Sequence, residues 1–335
     1  MYSIIIFIMP RMTRIESSDG LYHVLNRGNY RNDIFETDEA KRSFEKTMLE
    51  ACDRCGWELY AYAIMRNHFH LAIGTPRGNL IRGMQWLQAT FASRFNRYRK
   101  EHGVLFQGRY KSLIIEPGSH LCQVVNYIHL NPVRAGIVKV GNLGKYPFCS
   151  FAKYKESPRP KALHCKTWLW DMEQLKDTQR GWRIYRKVLE AESKKDALEL
   201  ERIRKQMTRG WCIGDKKYRE QMAKEIKKKR SGVKFEKQEL REINELHWKE
   251  IANCCLNALN KTNSDIKADK KSAEWKLAIA SILKTRTTAP NLWISKRLDM
   301  GVASTLSSNL SNYLRGKKRK NKIVRKLEKT LNNAL

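Results

Sequence analysis

The sequence predicts an α+β protein, a small antiparallel sheet flanked by helices and followed by a basic helical region. Three observations lead there. Between about residues 20 and 150 the apolar pattern switches back and forth between strand alternation and helical spacing. The run Ser157-Pro158-Arg159-Pro160-Lys161 then interrupts it, and the chain beyond is lysine-rich with helical spacing. The first part orders as β-α-β-β-α-β-α, the split βαβ plan of a ferredoxin-like sheet, with its helices expected on one face. Two domains are therefore expected, at 10–155 and 165–335, divided near residues 155–165.

Each element follows from local pattern. Leu21 to Asn26 suits a strand, and Asp38 to Cys55 a helix with Asp38 as its N-cap. Trp57 to Met65 alternates, with Trp57, Leu59, Ala61, Ala63 and Met65 on one face; Arg66-Asn67 turns into a second strand, His68 to Gly74. From Asn79 to about Lys100, Leu80, Met84, Leu87, Phe91 and Phe95 form a helical stripe. A strand from Tyr110 to Ile115, a break at Pro117-Gly118 and a short helix from Ser119 to about Leu130 complete the first domain. Farther on, Leu198 to Lys205, Arg219 to Arg230 and Phe235 to Leu259 read as helices with basic faces, which a solvated structural arm would also show. Glu274 to Lys284, Asn291 to Leu298 entered through Pro290, and Val302 to Arg315 read as three more.

The formal charge is +32, from 66 Lys plus Arg against 34 Asp plus Glu, more than folding or solubility requires, and it points to a polyanionic partner. The apolar start, Tyr2 to Met9, is shorter than the roughly 20 residues of a membrane span and lacks a basic leader and a cleavage site, so neither a membrane partner nor secretion is expected. A true start at Met9 or Met12 would explain that stretch equally well. Eight scattered cysteines suit reduced thiols in the cytoplasm, and Cys52-Asp-Arg-Cys55, unanswered by a second pair, reads as two thiols near a helix end. A cytoplasmic, nucleoid-associated protein is expected.

In His68-Phe69-His70 a strand would project both imidazoles to one face, where they could share a metal ion, although His-x-His also arises by chance. In the helix from Ser119, Leu121, Val124, Val125 and Ile128 form the core stripe, and Tyr127 and Asn131 stack at i and i+4 on one flank. His129 falls roughly 160° from Tyr127 on the helical wheel and is excluded as its close partner. Pro132 ends the helix at Asn131. By itself Tyr127 could be an ordinary half-buried helix tyrosine.

Four ordered segments change that balance. The strings Leu21-Tyr-His-Val-Leu-Asn-Arg-Gly-Asn29, Met65-Arg-Asn-His-Phe-His-Leu71, Phe106-Gln-Gly-Arg-Tyr-Lys111 and Asn126-Tyr-Ile-His-Leu-Asn-Pro-Val-Arg-Ala-Gly136 resemble the REP-associated, single-tyrosine HUH transposases over about residues 10–155. The resemblance implies that Tyr127 is a nucleophile and that His68, His70 and Asn131 hold a divalent metal, Mg²⁺ or Mn²⁺. Members whose third ligand is a Gln or Glu exist, and Arg66 stands where many carry Pro or Gly. The implied reaction cuts and rejoins single-stranded or hairpin DNA through a 5′-phosphotyrosine. A phenol with a pKa near 10 is a weak nucleophile and a phosphodiester repels it, so a cation that cancels charge suits the chemistry.

Arg27, Asn29, Arg109 and Lys111 lie beside these motifs among Tyr22, Phe106 and Tyr110, a mixture that can follow phosphates and stack on unpaired bases, or simply pack a sheet. At about 272–315 the spacing Ser295-x-x-Leu298-Asp299-Met300 suits a helix-turn-helix whose last helix offers Ser304, Thr305 and Ser308 to a major groove. A plain helical hairpin would share that spacing. Residues 301–335 hold nine Lys plus Arg against one Glu, which favours phosphate contact either way. A rolling-circle initiator shares the His-x-His and tyrosine logic, but no Walker-type phosphate loop is present. A catalytically silent DNA-binding regulator is the remaining alternative. The sequence leaves open whether the site is completed within one chain or in a homodimer.

Overall fold

The computed structural model describes residues 16–17, 19–154, 156–228, 237–317 and 322–334; the apolar start and the alternative initiators lie outside them. The elements of the first part are β1 (Gly20–Arg27), α1 (Asp38–Cys55), β2 (Glu58–Ile64), β3 (His68–Thr75), α2 (Leu80–Arg99), β4 (Lys111–Ile115), α3 (Ser119–His129) and α4 (Asn131–Arg134). They continue with α5 (Ser150–Lys153), α6 (Lys166–Asp171), α7 (Gln179–Ser193), α8 (Ala197–Thr208), β5 (Cys212–Ile213) and α9 (Lys216–Lys228).

The sheet order is β2-β3-β1-β4-β5. The first four strands are antiparallel to their neighbours, so β1-α1-β2 straddles β3 and β3-α2-β4 straddles β1. This is the split βαβ arrangement, and the fold is α+β. Helix α1 is capped by Thr37, whose side chain accepts from Ala40 N, and not by Asp38, which is the first helical residue. The αL conformation of Gly56 ends it. Cys52 and Cys55 are buried in its last turns.

The helices do not keep to one face. Phe69 of β3 points to the side covered by α1 and α2, where Phe35, Phe44 and Phe91 surround it with ring centroids 4.7–6.4 Å apart. His70, its neighbour, points to the other side and meets Tyr127 of α3. Seven of the eight residues of β3 are buried, so both faces need a cover. Helix α3 supplies the second, with Leu121, Val124, Val125 and Ile128 all buried.

The chain after the Ser157–Lys161 break belongs to the same compact unit, which runs to Arg219. Each sheet edge is paired by that later chain. Leu59 N donates to Ala162 O (2.8 Å) and His164 N to Leu59 O (2.9 Å) beside β2, while β5 runs parallel to β4. Covering edges in this way removes exposed ladder groups. An aromatic layer of Phe151, Tyr154, Trp168, Trp182 and Tyr185 packs beneath α3, and Arg159 is held by Asp177 at 2.7 Å. The break is therefore a pinned crossing inside one unit, and the region expected to be all-α contributes a strand.

The second unit, which begins inside α9 at Glu220, is helical: it continues with α10 (Lys237–Ala258), α11 (Asn263–Ala268), α12 (Glu274–Arg286), α13 (Asn291–Leu298), α14 (Ala303–Lys317) and α15 (Lys322–Ala334). Its core joins Ile251, Cys255, Ile279, Leu283, Leu327 and Leu331. Lys276 is buried there, its Nζ donating to Ile266 O (2.6 Å) and Asp269 O (2.9 Å), which satisfies the ammonium without a carboxylate. Between α13 and α14, Asp299 takes a left-handed φ of 49° and Gly301 one of 82°. Met300 N donates to Ser295 O (2.9 Å), closing the turn.

Candidate active site

The register of β1 against β3 sets the floor of the site. Arg27 lies opposite His68, Leu25 opposite His70 and His23 opposite Ala72, so Arg27, His23, His68 and His70 share one face. The imidazoles of His68 and His70 are 5.1 Å apart between centroids. His68 Nδ1 lies 2.7 Å from Asn67 Oδ1, and Asn67 Nδ2 donates to Arg31 O at 3.2 Å. With the amide oriented by that second bond, His68 Nδ1 is the donor and its Nε2 keeps the lone pair. Burial holds His68 down at about 4, with Arg27 adding to the effect, and pushes His70 well below the usual range, with His68, His23 and Arg134 adding. Both rings are thus neutral at pH 7, the state that can bind a metal ion.

Tyr127 closes the site from α3. Its ring centroid lies 5.6 Å from His70 and 5.8 Å from His23. Asn131, one turn on, turns its Nδ2 back to Tyr127 O at 2.9 Å, which leaves Oδ1 facing away from the helix carbonyl. Arg134 donates from Nη1 to the same carbonyl (3.0 Å) and sets its guanidinium 4.8 Å from the centre of the Tyr127 ring. Only 5% of Tyr127 is accessible, and burial raises its phenol above the ordinary range. Arg134 and Arg204 pull it back and Glu201 pushes it up again. His129 faces away, bonded to Tyr185 Oη (2.7 Å) and Ser150 Oγ (2.8 Å).

Arg27 is exposed, with Nε bonded to Gln107 Oε1, and Gln107 N donates to Arg27 O at 2.8 Å. Asn29 N donates to Leu105 O at 2.8 Å, so the 27–31 and 105–109 segments form one rim. Arg109 is exposed on it, and Lys111 begins β4 opposite Leu25. Ser304, Thr305 and Ser308 are exposed on α14 in the second unit, while Leu306 and Leu310 are buried.

Four contributors carried no role in the sequence reading. His23 touches both His70 and Tyr127; strand alternation from Arg27 could have placed it on this face. Arg134 stands seven residues from Tyr127, two helical turns on the same side. Asn67 sits inside the His-x-His segment. Met207, whose carbonyl meets His23 Nδ1 at 2.9 Å, is distant in sequence and acts through its backbone, so no pattern marks it. Among the described residues no group of three or more His, Cys, Asp or Glu side chains could hold a metal ion. Any ion here would need oxygen donors beyond such groups, and an amide and a phosphate would be of that kind. Among the described residues no helix is long and apolar enough to cross a membrane.

Residues 16–131 match the family model described as Transposase IS200 like. No curated protein matches the chain. Among solved structures, a REP-associated tyrosine transposase bound to a REP hairpin is 17% identical, covering 48% of this chain and 91% of that one with a TM-score of 0.37. A provisionally assigned transposase from Deinococcus radiodurans R1 is 20% identical, covering 38% and 89%, with a TM-score of 0.26.

Proposed function

We propose, from the match of residues 16–131 to the IS200-like transposase family model, that the chain cuts and rejoins single-stranded DNA with Tyr127 as nucleophile. The observation that carries this reading is the edge-on packing of the Tyr127 ring against His70, beside His68, with Asn131 and Arg134 both anchored to the Tyr127 carbonyl. Arg27 opposite His68, Lys111 at the head of β4 and Arg134 against the Tyr127 ring place positive charge around the imidazoles. Such a site attracts a phosphate and stabilises the charge that builds on it.

In the step we propose, the Tyr127 Oη–P bond forms and the P–O3′ bond breaks. The proton lost by the phenol balances the one gained by the 3′-oxygen. The product is a 5′-phosphotyrosine and a free 3′-hydroxyl, and because one phosphodiester replaces another, a second 3′-hydroxyl can reverse the step and join strands. His68 and His70 would supply two nitrogen donors and Asn131 an amide oxygen for Mg²⁺ or Mn²⁺. When bound, such an ion would polarise the scissile phosphate and stabilise the leaving oxygen. Arg134 stabilises the phenolate as it forms, and Arg27, Asn29, Arg109 and Lys111 would hold the flanking backbone. The turn between α13 and α14 supports a helix-turn-helix role for the second unit, with Ser304, Thr305 and Ser308 toward duplex DNA.

The test is incubation with end-labelled single-stranded oligonucleotides, linear and hairpin, from the DNA flanking the gene, with Mg²⁺ or Mn²⁺, followed by denaturing electrophoresis. The expected result is a labelled protein adduct, lost in Tyr127→Phe, in His68→Ala and with a chelator. Binding without adduct or cleavage on every substrate would refute the nucleophile assignment and leave a DNA-binding regulator.

A further inference from the structure

His23 is fully buried in β1, and both of its ring nitrogens are engaged. Nδ1 lies 2.9 Å from Met207 O, and Nε2 lies 3.0 Å from Nδ1 of His70. A carbonyl only accepts, so His23 Nδ1 carries a proton. The ring is shut off from solvent between a carbonyl and a second imidazole, where a charge on it would be costly, and a neutral imidazole has one N–H, so Nε2 of His23 can only accept. The donor to it must be Nδ1 of His70, which leaves the lone pair of His70 on Nε2.

We infer that His23 is a positioning residue that transmits the direction of the Met207 carbonyl to His70 and locks that ring in the tautomer whose Nε2 can bind a divalent cation. The inference rests on the reading of His68 and His70 as metal ligands, and it deepens that reading. His68 reaches the same state by another route, through Asn67 and Arg31 O. The two imidazoles are thus set independently, one by a loop amide and one by a buried relay. Partners of this kind fix ring orientation and raise the basicity of the ligating nitrogen.

The relay also assigns a role to chain outside the matched family region. Met207 lies in α8, well beyond residue 131. That helix is held against the sheet through β5, where Ile114 N donates to Trp211 O (2.9 Å) and Glu116 N to Ile213 O (2.8 Å). A displaced α8 would leave His23 without its acceptor, and both His23 and His70 would be free to change tautomer.

Two measurements on the full-length chain test this. In ¹⁵N-histidine-labelled, metal-free protein, long-range ¹H–¹⁵N correlation spectra report which ring nitrogen is protonated, with His70 assigned by its absence in His70→Ala. Protonation at Nδ1 is expected, and a His70 ring protonated at Nε2 would overturn the relay. Mn²⁺ binding, followed by the electron paramagnetic resonance signal of the free ion, should weaken about 10–100-fold in His23→Phe. His23→Gln, which keeps an acceptor and a donor, should restore most of it. A folded His23→Phe that binds Mn²⁺ like the parent would sink the inference while leaving the metal-site reading intact. Absence of Mn²⁺ binding in the parent would sink that reading, and the tautomer spectrum would still decide the relay.

Discussion

Replacing Arg134 by Met should slow formation of the DNA adduct by roughly one order of magnitude while leaving the fold in place. The guanidinium carbon lies 4.8 Å from the centre of the Tyr127 ring, and the residue is half-buried. At an effective dielectric near 20, a unit charge at that distance stabilises a full phenolate by about 3.5 kcal/mol. If the attacking oxygen carries roughly half of that charge at the transition state, the loss is about 1.7 kcal/mol, or roughly 15-fold in rate. The structural cost is smaller, because the Tyr127 carbonyl keeps its bond from Asn131 Nδ2 at 2.9 Å when Arg134 Nη1 is withdrawn. One lost hydrogen bond of this kind costs about 1 kcal/mol. Single-turnover adduct formation between pH 6 and 9, beside a urea melt of each variant, separates the two effects. The rising limb of the pH profile should move to higher pH in Arg134→Met, since the cation now holds the phenol down against its burial. An Arg134→Met protein that melts like the parent and forms adduct at the parental rate and pH dependence would refute the assignment of Arg134 to the phenolate.

The remaining predictions test the fold, the charge balance and the second unit. Burial depresses His129 to about 3, against 6.5 when unfolded, so the unfolded chain takes up a proton first as pH falls. The stability held by its neutral form is complete above about pH 6.5 and is lost toward pH 3, about 2 kcal/mol of it by pH 5. Urea melts of His129→Gln should therefore show a shallower loss of stability between pH 6.5 and 4 than the parent, and parallel curves would count against this. In α2, a Cβ added at Gly83 would run into the indole of Trp57, which is itself held by Asn79 Oδ1 at 2.8 Å. Gly83→Ala should cost about 1–3 kcal/mol despite the better helix propensity of alanine, and a stabilised variant in thermal melts would contradict the packing. Combining Ser304→Ala, Thr305→Ala and Ser308→Ala on the exposed face of α14 should leave the melting temperature unchanged and weaken binding to a duplex site. Unchanged duplex affinity in a footprinting titration would remove α14 from the DNA interface.

What the sequence made legible was the local chemistry. The parity of His68 and His70 on a strand, the i, i+4 pairing of Tyr127 with Asn131, and the opposite direction of His129 all follow from the periods of strand and helix. The α13 and α14 helices and the left-handed Asp299 between them follow from local turn chemistry in the same way. Thr37 and Asp38 are adjacent and both are good cap types, so the sequence alone does not separate them as the cap of α1. The relay from Met207 to His70 and the pairing of residues 162–164 and 212–213 with the sheet edges depend on backbone groups brought together from distant parts of the chain. A carbonyl has no identity in a sequence, and a strand of two residues has no periodicity.

The same distinction explains why Pro158 and Pro160 suggested a domain boundary where none exists. Prolines report that a local element ends, but whether a unit ends depends on what the next residues bury. Here they bury Trp168, Trp182 and Tyr185 beneath α3, and the underside of the helix that carries Tyr127 is built from them. Through Cys122 Sγ, which donates to Trp168 O at 3.2 Å, and His129, bonded to Tyr185, that layer holds α3. The position of the candidate nucleophile over the imidazoles therefore depends on residues well beyond the stretch that carries the motifs.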